Sequence, residues 1–170
     1  MSANPEILSI LQKAYQVETD GYTFYSMIAE RTDKDAVRDL FGKLARDEVL
    51  HKAYLKEISG QYEERGVAAF VVPARPDPSL RVFADRVLTD RFKEQARGAT
   101  FEVSAVSIGM TLETNAMALF GAQADTATDP EVREFYRFLC EWERQHYEAL
   151  QDLFQEVRQD LFTGGGFNPF

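Results

Sequence analysis

Apolar residues recur every three or four positions in four segments of the chain, and strand-like alternation is missing throughout. The first segment lines up Leu8, Leu11, Tyr15, Glu18, Tyr22, Tyr25 and Ala29. The second lines up Val37, Phe41, Leu44, Glu48, His51, Leu55 and Ile58. The third, from about Thr100, lines up Val106, Met110, Glu113, Met117, Phe120 and Ala124. The fourth lines up Tyr136, Leu139, Glu143, His146, Leu150, Leu153 and Val157. Steps of three and four keep each series on one face of an α-helix. Start signals agree with the pattern. Asn4 precedes Pro5 and Asp129 precedes Pro130, each a capping side chain ahead of a proline at the first helical position.

These elements predict an all-α four-helix bundle. A short break at Thr32-Asp33 makes the first two helices an antiparallel pair, and a short connection does the same for the last two. Between the pairs runs a long crossover connection, about residues 66–98, in which Pro73, Pro76 and Pro78 mark a loop and Leu80 to Lys93 a short helix. The tail, residues 163–170, is Gly-rich with two Phe and is expected to end the last helix. At 170 residues and 19.4 kDa the chain is expected to be a single domain, 1–170.

The two halves repeat each other. A shift of 95 residues superposes Glu18 on Glu113, Glu48 on Glu143 and His51 on His146. The same shift pairs Thr19 with Thr114, Ala29 with Ala124, Val37 with Val132, Arg38 with Arg133, Leu44 with Leu139 and Leu55 with Leu150. Both histidines of the chain fall among the matches.

Composition narrows the function. The formal charge of −9 and pI near 4.8 argue against a nucleic-acid partner. No basic segment followed by an apolar run opens the chain, and the apolar run Val67 to Pro73 is far below a membrane span, so no membrane partner is expected and the cytoplasm is the expected location. The single cysteine, Cys140, permits no intrachain disulfide and no thiolate metal site; it reads as a buried, inert thiol.

Four glutamates and two histidines stand at inward-facing positions of the stripes. Ionised carboxylates in an apolar core cost several kcal/mol each unless compensated. Two divalent cations would balance four carboxylates, and imidazole nitrogens suit iron, manganese or zinc. Glu48-x-x-His51 and Glu143-x-x-His146 each place both side chains on one helical face, within reach of one metal. Loaded with two divalent ions, the chain would carry about −5 by charge counting. The alternative for these six residues is a buried, hydrogen-bonded polar layer without metal.

One Glu from each of two helices plus Glu-x-x-His from each of the other two is the donor pattern of ferritin-like di-iron carboxylate proteins. The chain resembles the rubrerythrin branch of that superfamily over residues 5 to 161, without its rubredoxin domain. The resemblance implies a ferritin-like bundle holding two iron ions as metal ligands of Glu18, Glu48, His51, Glu113, Glu143 and His146. Glu18 with His51 would complete one iron's shell, Glu113 with His146 the other's, and Glu48 and Glu143 would bridge. Typical rubrerythrins carry a further Glu three residues after the third-helix ligand; here that residue is Ala116. Tyr25, seven residues after Glu18, is similar to the ferritin-like tyrosine that hydrogen-bonds a ligand carboxylate, with plain core packing as the alternative. Asp47, next to Glu48, is placed to accept a hydrogen bond from the His146 ring, with a solvated carboxylate as the alternative.

The implied function is an oxidoreductase that reduces hydrogen peroxide or dioxygen at the expense of Fe(II), in oxidative-stress protection or iron homeostasis. The alternatives are a ferroxidase or iron-storage protein and a non-enzymatic metal-binding bundle holding zinc or manganese. With one cysteine the chain builds no rubredoxin site, so an external electron-donor protein is expected. Aromatic content and the Phe-containing tail lead us to expect a homodimer or higher homo-oligomer.

Overall fold

The computed structural model describes residues 4–70 and 100–164. Helix α1 spans Pro5–Arg31 and α2 spans Asp35–Arg65; a short 3₁₀ turn, Gly66–Ala69, follows. Helix α3 spans Thr100–Thr126 and α4 spans Pro130–Gly164. Residues 71–98 of the crossover, with its expected helix at Leu80 to Lys93, the Val157 side chain and the tail from residue 165 lie outside what is described.

The expected caps form. The Asn4 side chain accepts from the Glu6 amide at 2.9 Å, and that of Asp129 accepts from the Glu131 amide at 2.8 Å. Helix α2 ends where Gly66 turns to a φ of +63°, a backbone conformation that L side chains rarely adopt.

Helix α1 packs against α2, α3 against α4, and α1 against α3. Two apolar clusters give the directions. One joins Ile28, Val37, Phe41, Leu44, Val106, Leu150 and Leu153; the other joins Leu11, Leu55, Ile58, Phe120, Val132, Phe135 and Leu139. Thus α1 and α4 run one way and α2 and α3 the other. The chain leaves α2 at one end of the bundle and enters α3 at the opposite end, as a lengthwise crossover requires. The glutamate and histidine positions fall between the two clusters.

The buried line of α2 is the one expected: Val37, Phe41, Leu44, Glu48, His51, Leu55 and Ile58. On α1 it differs. Tyr15 and Tyr22 are exposed, at 42% and 38%, and Ala14 and Gly21 take their places inside. On α3, Met110 and Met117 are half-buried while Gly109 and Ala116 face in. At the two glycines the reason is steric: an added Cβ would stand 3.0 Å from Glu48 Oε1 at Gly21 and 3.0 Å from the Leu150 side chain at Gly109. Phe101–Thr126 is also long and apolar enough, by length and composition, to cross a membrane, which the apolar-run criterion overlooked. In the bundle its inward face carries buried Glu113 and packs on α4.

Candidate metal centre

The three- and four-residue spacing that buries the apolar stripes also drives the polar residues inward. Glu18, Glu48, His51, Glu113, Glu143 and His146 are all at most 6% exposed, so water solvates none of them appreciably. Helix α1 supplies Glu18, α2 supplies Glu48 and His51, α3 supplies Glu113, and α4 supplies Glu143 and His146.

They converge on one volume. Nδ1 of His51 lies 3.0 Å from Oε2 of Glu18, 3.3 Å from Oε2 of Glu48 and 3.6 Å from Oε1 of Glu143. Nδ1 of His146 lies 3.3 Å from Oε1 of Glu48 and 3.4 Å from Oε1 of Glu113. The two oxygens of Glu48 are therefore divided between the two histidines. Glu143, although on the helix of His146, reaches across to His51. Single donor atoms from Glu48, His51, Glu143 and His146 all lie within 4.8 Å of one another.

The set is short of partners. Among the described residues, Glu18 Oε1, Glu48 Oε2, Glu143 Oε1 and His146 Nδ1 are buried without a hydrogen bond. Several orphaned polar atoms in one pocket are costly in a folded protein and call for a group that fills them. Four carboxylates and two imidazoles aimed at one volume fit divalent metal ions.

The electrostatics show the same deficit of positive charge. Burial pushes the Glu18 carboxyl up to about 8, offset in part by His51 and reinforced by Glu48. Burial also holds Glu143 well above the carboxylate range, with Glu18, Glu113 and Glu48 adding to it. For Glu113, burial acts upward but is outweighed by the His146 ring and by hydrogen bonds, so it stays low. For His146, burial acts downward but the Glu113 and Glu48 carboxylates win and keep the ring protonated well above its ordinary value.

Tyr25 is fully buried, and its hydroxyl donates to Oε1 of Glu113. It lies on the same helix as Glu18 yet serves the carboxylate of α3. Burial and the neighbouring carboxylates raise its pKa well above the phenol range, which keeps it a donor. Asp47 is buried and ion-paired with Lys43. Its Oδ2 is 3.9 Å from Nε2 of His146, on the expected side of that ring but beyond hydrogen-bond distance. The half-buried Cys140 donates its thiol to the Met117 carbonyl at 3.7 Å.

Three residues shape the site that periodicity did not single out for it. A Cβ on Gly21 would stand 3.0 Å from Oε1 of Glu48, and one on Gly109 would stand 3.3 Å from the Tyr25 ring. Trp142 stacks on His51 with centroids 4.1 Å apart. The repeat held a signal for two of them. Gly21 is the counterpart of Ala116, and Trp142 the counterpart of Asp47.

Comparison with known proteins adds one finding. The family model described as Rubrerythrin matches residues 9–154, a span that includes all six clustered glutamates and histidines. No curated protein and no solved structure gives a match.

Proposed function

The chain belongs to the rubrerythrin family, and from that premise we propose that it is a di-iron oxidoreductase that reduces hydrogen peroxide, or alternatively dioxygen, at the expense of Fe(II). In this reading Glu18, Glu48, His51, Glu113, Glu143 and His146 hold two iron ions. The carrying observation is the buried set of converging donor atoms that lack partners within the chain. Manganese and zinc suit the same donors, so the choice of iron rests on the family.

Held there as Fe(II), the pair would supply the two electrons that reduce hydrogen peroxide, with two protons, to two waters. The chain's own part is positioning and exclusion. Glu18 and His51 would hold one ion and Glu113 and His146 the other, with Glu48 and Glu143 shared by both. The division of the Glu48 oxygens and the reach of Glu143 support that assignment. Tyr25 holds Glu113 through its hydroxyl. The apolar clusters on either side keep bulk water from the site. Re-reduction falls to an external electron-donor protein. A homodimer or higher assembly and a cytoplasmic location complete the reading.

Anaerobically purified protein should contain about two irons per chain by elemental analysis and should consume peroxide rapidly. Glu113→Ala should abolish that consumption. Unchanged turnover in the variant would sink the mechanism, and a redox-inert metal in the purified protein with no oxidant chemistry would favour a structural site.

A further inference from the structure

Two histidines in equivalent places have unlike neighbours. The indole of Trp142 lies flat on His51, with centroids 4.1 Å apart and planes 7° apart. The ring of His51 also stacks with that of His146, at 5.0 Å and 12°. Trp142 is braced in turn by Phe138, at 4.6 Å, and by Tyr54, edge-on at 5.2 Å. The result is three near-parallel rings with an aromatic wall behind them. His146 has instead the carboxylate of Asp47 on its Nε2 side, held by Lys43. Asp47 and Trp142 occupy the same place in the two halves, one residue before the Glu of each Glu-x-x-His.

A histidine binds a metal through a lone pair in the plane of its ring, so whatever fixes the plane fixes where Nδ1 points. The usual device is a carboxylate beside the other ring nitrogen, which also strengthens the ring as a donor; Asp47 stands 3.9 Å from Nε2 of His146, where its negative charge reaches the ring without a direct hydrogen bond. An indole has no acceptor to offer. It holds the plane by face contact and brings no negative charge to the ring.

We propose that Trp142 is a positioning residue that locks the His51 ring, and that the exchange of Asp47 for Trp142 between the halves makes the two metal positions unequal, the His51 position being the weaker. The inference rests on the proposed metal centre and concerns only how this chain tunes it.

The test is titration of the metal-free full chain with Co(II). Visible absorption follows the metal, and emission follows Trp142, the chain's lone tryptophan. Wild-type protein should take up the metal in two unequal steps, with the larger emission change in the weaker one. Trp142→Leu should weaken that step roughly tenfold and leave the stronger within about twofold. Trp142→Phe, which keeps a flat ring, should restore most of the loss. Two equal wild-type steps, or a Trp142→Leu isotherm like wild type, would overturn the inference while leaving the metal centre intact. So would equal weakening of both steps in the Leu and Phe variants, the signature of a general packing role. Absence of any Co(II) uptake by wild-type protein would overturn the metal centre itself and this inference with it.

Discussion

At the residue scale, the site depends on atoms that are missing as much as on those present. Gly21 leaves room for the Glu48 carboxylate, whose Oε1 an added Cβ would meet at 3.0 Å. Replacing a mid-helix glycine by alanine ordinarily stabilises a helix by up to about 1 kcal/mol. Gly21→Ala should therefore leave the thermal midpoint of the metal-free protein equal or higher, yet weaken metal binding about tenfold as Glu48 is displaced. Calorimetric melting and metal titration of the same sample check both halves of the expectation. Tyr25→Phe keeps the buried shape but strips Glu113 of its hydroxyl donor. We expect a loss of about 1–3 kcal/mol of stability in urea unfolding of the metal-free protein.

At the scale of elements, the repeat explains itself in the two inter-helix turns. Arg38 donates to the carbonyl of Thr32 at 3.0 Å, and Arg133 donates to the carbonyl of Ala127 at 2.8 and 3.2 Å. Each arginine reaches back six residues to clamp the end of the preceding helix, and the 95-residue shift that pairs the arginines also pairs the carbonyls. Thr19 and Thr114, another matched pair, each bond the carbonyl four residues back. Since the Thr32 and Ala127 turns lie at opposite ends of the bundle, Arg38→Ala and Arg133→Ala should each cost about 1 kcal/mol and add in the double variant. Chemical denaturation of the two single variants and the double one measures this. A large departure from additivity would mean that the turns communicate through the core.

At the scale of the whole molecule, the buried cluster ties stability to pH and to metal. Glu18 titrates near 8 in the folded metal-free protein against 4.5 for the free side chain. Between those values the unfolded chain has released a proton that the folded chain still holds, so stability falls as pH rises through that window. Glu143 acts in the same direction. His146, raised above 6.5, does so too: its contribution is full below 6.5 and is lost as pH climbs through its folded value. Glu113, held low, opposes them only in acid, where its contribution disappears as pH falls. The melting temperature of metal-free protein should thus decline from pH 5 to pH 8. Metal binding requires the deprotonated donors and displaces these protons. Saturating Fe(II) or Mn(II) should therefore raise the melting temperature, and by more at pH 8 than at pH 5. Melting curves at both pH values, with chelator or metal, check the sign.

Much of this was legible in one dimension because it follows from helical periodicity. Turn residues, caps and the steps of three and four placed Glu18, Glu48, His51, Glu113, Glu143 and His146 on inward faces, and the repeat showed that they belong together. Periodicity cannot tell which of two adjacent candidates turns inward, because that depends on what the neighbouring helices place against each. Tyr15 and Tyr22 thus looked like core, whereas Ala14 and Gly21 hold those places. It is also blind across helices. That Tyr25 of α1 serves Glu113 of α3, that Glu48 divides its oxygens between two histidines, and that Trp142 covers His51 depend on how helices distant in sequence are set against one another. Local repeat geometry sets the elements and the helical face that turns inward, so both can be read along the chain. Which residues touch across helices is set by the packed fold, because contact depends on helix separation and register, to which neighbouring residues carry no signal.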